Sequence, residues 1–259
     1  MNPQLYGGLA YKFCSTDVLA LIVENRTIRF SRADTLNDAF ELSPFLMPLD
    51  WVEIIQLSKT NMEAARALAS HAFQKVCSSL YVTCFSRSYL SDEAQLMWAH
   101  YADSHRGVCF CVDFSEREGD MSSEGYYPVK VRYAESLLEE RNSRTPTSND
   151  LGMLIGATKP SVWSYEDEVR VVIESDSFDQ TRFTKLNDDT AIDVQFSPQN
   201  IKKVVFGLHT RKEDVAHIAK VFSDVDDVPV FTKLDIEPLT LKVVEKACGL
   251  REYILAQRC

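Results

Sequence analysis

The segment Trp163-Ser-Tyr-Glu-Asp-Glu-Val-Arg-Val-Val-Ile173 sets two carboxylates and a guanidinium at every-second-residue spacing on the head of an apolar run. In extended backbone, a period of two points Glu166, Glu168 and Arg170 to one face, where a buried strand would otherwise carry apolar groups. Charges so placed need partners. Either they neutralise one another as a structural network, or they line a site that handles a polar ligand.

Other chemistry-bearing residues are fewer. Cys84 with His100 or His105 has the types of a nucleophilic pair, but nothing marks the thiol as activated, and a buried strand cysteine is the simpler reading. Cys109 and Cys111 share a strand face near His105, yet no second Cys/His pair of zinc-ligand spacing accompanies them, so no metal site is predicted there. Asp224, Asp226 and Asp227 lack the glycine and terminal glutamate of a calcium loop and read as solvated turn. The chain has no Gly-Lys-Ser/Thr phosphate loop, no Gly-x-Gly-x-x-Gly, no Gly-x-Ser-x-Gly and no His-Glu-x-x-His, which removes support for several common enzyme classes.

The elements that must position these residues follow from patterning. Leu9 to Phe13 and Thr27 to Ser31 read as strands around a helix over Asp17 to Asn25, capped by Ser15 or Thr16. Asn37, Asp38, Phe40 and Glu41 form a turn-rich block; Trp51 to Leu57 and Asn61 to Ser78 read as helices. Leu80 to Phe85 is a strand ending at Ser86, and a helix starts near Ser91 and carries Met97, Trp98 and Tyr101. Beyond the break at Gly107, Val108 to Phe114 is a near-continuous apolar run, which fits a central strand buried on both faces. Tyr126 to Tyr133 reads as one strand, 139–149 as a polar loop, and Phe178 to Asp189 as loop. Strands follow over Ala191 to Phe196, Ile201 to Phe206, Val230 to Leu234 and Leu239 to Val244, with a helix over Asp214 to Phe222. Helices and strands mix irregularly, which favours α+β over a doubly wound sheet.

A chain of 259 residues, 45% hydrophobic and 25% charged, is long enough for a sizeable core, and one domain over 1–259 is expected. No run of about 18 apolar residues and no charged-then-apolar leader pattern is present, so a cytoplasmic location without a membrane span is the expectation. Seven cysteines in no disulfide framework fit reduced thiols. A net charge of −10 argues against passive adhesion to nucleic acid or anionic membrane.

Tyr11-Lys12-Phe13, Asn37-Asp-Ala-Phe-Glu41, Cys84-Phe-Ser86, Met97-Trp-Ala-His-Tyr101, His105 with Gly107, and Trp163 to Arg170 occur in that order. With these matches the whole chain resembles the family catalogued as domain of unknown function 2971. Glu166-Asp-Glu168 running into Val169 to Ile173 is also similar to the Glu-x-Glu that heads a core strand in ADP-ribosyltransferases. That resemblance implies three strand-borne corners around NAD, with Tyr11 or Lys12 first, Ser86 second and Glu168 third. It further implies that Glu168 stabilises the charge that develops at the ribose as the nicotinamide bond breaks, while Glu166 orients or deprotonates the acceptor. Tyr101 or Trp98 would stack on the nicotinamide.

Two features depart from the transferase pattern. The first strand carries Tyr11-Lys12 where Arg or His is usual, and Arg170 stands at a usually apolar position. An arginine beside Glu168 keeps it ionised, which serves a site and an inert ion pair alike. Core packing is the competing reading for Trp98 with Tyr101 and for Trp163 with Tyr165, and a turn or cap for Asn37-Asp38.

The sequence thus predicts a single α+β domain with a central mixed or split β-sheet flanked by helices. The leading function is an ADP-ribosyltransferase-like enzyme using NAD on a protein or nucleic-acid acceptor, in the manner of a toxin or defence effector. The alternative is a non-catalytic ligand-sensing or protein-interaction module with a structural Glu/Arg network. A nuclease-like or metal-dependent enzyme using Asp38, Glu41 and Glu168 would require those carboxylates to converge.

Overall fold

In the computed structural model, residues 5–36, 59–115, 127–136, 157–174, 179–186 and 189–256 are described. The Asn37 to Glu41 block, the expected helix over Trp51 to Leu57 and the polar loop 139–149 lie outside them.

Strand β1 (Leu9–Cys14) leads through Ser15 into helix α1 (Thr16–Asn25). Ser15 is extended, and its Oγ accepts from the Val18 amide at 3.2 Å, satisfying one of the amides that a helix start leaves open. The helix buries Leu19, Ala20, Ile22 and Val23 and stops at Arg26, which is left-handed and turns the chain into β2 (Thr27–Arg32). After α2 (Met62–Cys77) come β3 (Leu80–Ser86), α3 (Ala94–Tyr101) and β4 (Val108–Asp113). Val108, Cys109 and Phe110 are fully buried, as a run apolar on both faces requires.

The expected strand over Tyr126 to Tyr133 divides. Tyr127–Lys130 (β5) joins the main sheet, whereas Arg132–Ala134 (β6) pairs in parallel with β7 (Thr158–Pro160) in a small second sheet. Next are β8 (Glu168–Glu174), β9 (Phe183–Lys185), β10 (Ala191–Gln195), β11 (Ile201–Phe206), α4 (Lys212–Val221), β12 (Val230–Ile236), β13 (Val243–Ala247) and α5 (Leu250–Ala256). Two boundaries differ from the sequence reading. A short edge strand occupies part of the expected loop 178–189, because Phe183 to Lys185 ladders onto β10. The last strand begins at Val243 instead of Leu239, because the chain reverses first: the Leu241 amide donates to the Glu237 carbonyl and Leu241 is left-handed.

The main sheet runs β13-β12-β11-β4-β1-β3-β2-β10-β9, with β8 against β3 and β5 against β8. It is mixed, since β11 and β12 are parallel and the other paired strands are antiparallel. Side chains alternate between its faces. Ala10, Phe85, Phe110 and Val171 pack in one core with α1, α4 and α5, whereas Phe13 and Cys109 pack in the other with Met97 and Trp98 of α3. Helices on both faces of one mixed sheet make the fold α+β.

One detail of pairing positions the site. Strand β8 covers one edge of β3 along its whole length, from Leu80 to Ser86. Both β2 and β1 must therefore use the other edge, β2 at Tyr81 and Val82 and β1 at Ser86 alone. Between those contacts β1 and β2 diverge, and the sheet splits beside Thr83, Cys84 and Phe85.

Candidate functional site

The split leaves the Cys84 carbonyl without a strand partner on that edge, and a buried carbonyl needs a donor. Lys12 supplies it: Nζ donates to Cys84 O at 3.1 Å and to Thr83 Oγ1 at 2.9 Å, and lies 5.4 Å from the Phe85 ring centre. Burial holds this ammonium below the ordinary lysine range. At the closed end of the split, Tyr11, Ser86 and Glu168 form one cross-strand row, Tyr11 opposite Ser86 and Ser86 opposite Glu168. Directly opposed residues share a face, so all three point the same way.

Glu166 reaches that face by another route than the extended segment the spacing predicts. Ser161–Glu166 is a 3-10 helix, and Asp167 closes it in the left-handed region at φ 43°, so Glu166 lies outside the strand that Glu168 begins. Aspartate tolerates that conformation better than most residues. Here it is pinned by the Arg87 side chain on its carboxylate and the Arg87 amide on its carbonyl. The tight reversal brings the two glutamates onto one lysine.

That lysine is Lys159 on β7. Its Nζ donates to Glu166 Oε2 at 2.5 Å and Glu168 Oε2 at 3.4 Å. Arg170 grips Glu168 bidentately, Nε to Oε1 at 2.7 Å and Nη2 to Oε2 at 3.0 Å. Tyr101 Oη donates to Glu166 Oε1 at 2.7 Å, and the Glu168 amide donates to Tyr133 Oη at 2.8 Å. None of the four charged residues is more than 6% exposed. Two anions and two cations balance, which is what allows so many charges to be buried. Burial pushes Glu168 up to about 7 against the pull of Lys159, and Cys84 adds a hydrogen bond to its carboxylate. Lys159 is raised by its two glutamates although burial opposes it. Burial drives the Cys84 thiol well above its usual range, so it is no ready nucleophile.

These groups line a cleft of about 360 Å³. Among the residues singled out from sequence, Tyr11, Lys12, Ser86, Tyr101, Glu166, Glu168 and Arg170 all line it. Trp98 does not. Its indole is fully buried, meets Phe13 edge-on at 5.2 Å and donates from Nε1 to the Tyr89 carbonyl at 2.8 Å, so it is a core residue and not a stacking platform. Tyr101, three residues on, is turned to Glu166 by its hydroxyl and raised by burial and that bond. Ser86 is buried, with its hydroxyl engaged by Ser88 N and O. Of the carboxylate trio Asp38, Glu41 and Glu168, the first two lie outside the described residues; among the described residues no cluster of three metal-ligating side chains occurs.

Lys159 and Tyr133 were not legible as site residues. They reach it through the parallel pair β6 and β7, a non-local contact with no local signal beyond a basic residue beside Pro160. Trp163 covers Lys159, with Nζ 4.8 Å from its ring centre.

Among the described residues no helix is long and apolar enough to cross a membrane. Neither the curated proteins nor the solved structures contain a match to the chain. A family model described as "Protein of unknown function (DUF2971)" does match, over residues 97–171, a stretch that includes the Met97 to Tyr101 helix, His105, Gly107 and the Trp163 to Arg170 segment. Over these residues the chain is similar to that family, in keeping with the resemblance that its sequence blocks carry.

Proposed function

We propose that the protein is an ADP-ribosyltransferase-like enzyme that cleaves NAD at the nicotinamide–ribose bond and passes ADP-ribose to a protein or nucleic-acid acceptor. The observation that carries this reading is the Tyr11–Ser86–Glu168 row, drawn from three neighbouring strands and facing one cleft with Tyr101 and Glu166. The cleft lies toward the lower end of the range for small-molecule sites, about 300–1,000 Å³, and suits the nicotinamide riboside end of the dinucleotide.

Glu168 would face the ribose carbon and stabilise the positive charge that grows as the electron pair of the broken bond passes to the nicotinamide nitrogen. Arg170 and Lys159 hold that carboxylate in place and favour its charged form. Glu166 would take the proton that the acceptor gives up as its bond to the ribose carbon forms, and Lys159 and Tyr101 orient it. Ser86 and Tyr11 would position the sugar and the ring.

A second reading is favoured by one observation: both oxygens of Glu168 are already bonded within the chain, to Arg170 and Lys159. On that reading the network is structural and the protein is a ligand-sensing or protein-interaction module. Incubation with NAD labelled in the nicotinamide separates the two. The transferase reading expects nicotinamide release by the native chain and a loss of at least about a hundredfold in Glu168→Gln, the scale of removing one electrostatic stabiliser. Neither binding nor release of NAD, with candidate protein and nucleic-acid acceptors supplied, would sink it.

A further inference from the structure

The split beside Thr83, Cys84 and Phe85 opens to both faces of the sheet. Cys84 and Ser86 face the charged cleft; Thr83 and Phe85 alternate to the other side, where a second and larger cavity of about 790 Å³ lies. Its size falls within the range of small-molecule sites, and the mechanism above uses none of its remaining lining. The floor is apolar and ring-rich: Ile28, Phe30, Phe85, Phe114 and Val171, with Phe85 and Phe114 edge-to-face at 5.4 Å. The rim is polar, and its charges are not equivalent. Asp113 is held by the amide and hydroxyl of Ser115 at 2.8 and 2.6 Å, and Asp193 is gripped by Arg29 at 2.9 and 3.1 Å. Arg26, by contrast, stands exposed at the mouth in a left-handed backbone conformation, and its guanidinium has no hydrogen bond or ion pair among the described residues.

An apolar, aromatic floor below a rim whose acids are satisfied and one of whose cations is unengaged matches one ligand chemistry. From these features we infer that the far side of the split is a second binding site, for a small amphiphile with an apolar ring-bearing body and a single anionic group. The body lies against Phe30, Phe85 and Phe114, and the anion meets Arg26. This inference does not rest on the transferase reading, because among the described residues the two cavities share only the wall formed by Thr83 and Phe85.

The probe is 8-anilinonaphthalene-1-sulfonate, an aromatic body with one sulfonate, titrated into the full chain at low salt and followed by fluorescence and NMR. The expected result is saturable binding of one molecule per chain, with intermolecular Overhauser contacts to the Phe114 ring and the Val171 methyls. Reversing the rim charge with Arg26→Glu should weaken binding about fivefold or more, the scale of one partly exposed ion pair. Filling the mouth with Thr184→Trp, on an exposed edge-strand position where an aromatic residue suits the backbone, should abolish it. Absence of one-to-one binding, absence of contacts to Phe114 and Val171 in the native chain, or native affinity in Arg26→Glu would each overturn the inference. The native-chain contacts decide the matter even if the tryptophan variant does not fold.

Discussion

At the scale of single residues, the charged quartet makes a sharp demand on stability. Removing one cation leaves the two glutamates under-compensated in a buried place, so Lys159→Met should destabilise the fold by about 3–5 kcal/mol, measured by urea unfolding. The pH dependence has a definite sign. Glu168 sits at about 7 in the folded chain against 4.5 for an ordinary glutamate, so the folded state binds its proton more tightly than the unfolded state. Its contribution to stability is therefore complete below about 4.5 and is lost as pH rises through about 7. Glu168→Gln cannot titrate, so the stability of the native chain relative to this variant should fall across that window; a flat difference would mean that Arg170 and Lys159 hold the carboxylate ionised throughout. Trp98 supplies a contrasting case. Trp98→Phe should cost about 1–3 kcal/mol through the lost volume and the orphaned Tyr89 carbonyl while, on the transferase proposal, leaving KM for NAD unchanged. A raised KM with intact stability would restore the stacking role that its burial argues against.

At the scale of elements, the site depends on two backbone devices. The first is the left-handed Asp167, which lets a 3-10 helix and a strand deliver adjacent glutamates to one lysine. Asp167→Gly relieves the backbone and loses an exposed ion pair with Arg87, so its stability should stay within about 1 kcal/mol of native, whereas Asp167→Val should lose about 1–3 kcal/mol. The second is the reversal between α3 and β4, where Asp103, Ser104 and His105 are successively left-handed and Gly107 follows. A Cβ on Gly107 would meet the Cys14 carbonyl oxygen at 2.2 Å and the Ala102 carbonyl carbon at 2.9 Å. Both are backbone atoms and cannot swing away, so Gly107→Ala should destabilise by about 1–3 kcal/mol or more and displace β4 from β1, readable in thermal melts and amide spectra. The break at Gly107 was visible in the sequence, but its cause, the close approach of two other segments, was not. The same holds for Glu166: period-two spacing predicted a shared face with Glu168, and the chain achieves the convergence by a turn that the spacing does not encode.

At the scale of the whole molecule, the split sheet is the organising feature, since it creates the charged cleft on one face and the ring-lined cavity on the other. Net charge bears on what enters them. At −10 the chain should pass through immobilised duplex DNA without retention at about 50 mM salt; retention would reveal a cationic groove. Most elements and the α+β class were legible from sequence because they rest on local signals: the cap at Ser15, the all-apolar run of β4 and the alternation of β10. The types of the site residues were legible too, because Glu168 and Arg170 on a buried strand have no apolar explanation. Which residues meet was another matter. The Tyr11–Ser86–Glu168 row depends on the register of three strands up to 157 positions apart in the chain. Lys159 enters through a parallel pair with no local signature, and Trp98 and Tyr101 part company over a single helical turn. Local patterning fixes where a side chain points on its own element. Only the pairing of distant strands, set by how the whole chain buries its apolar faces, decides what it points at.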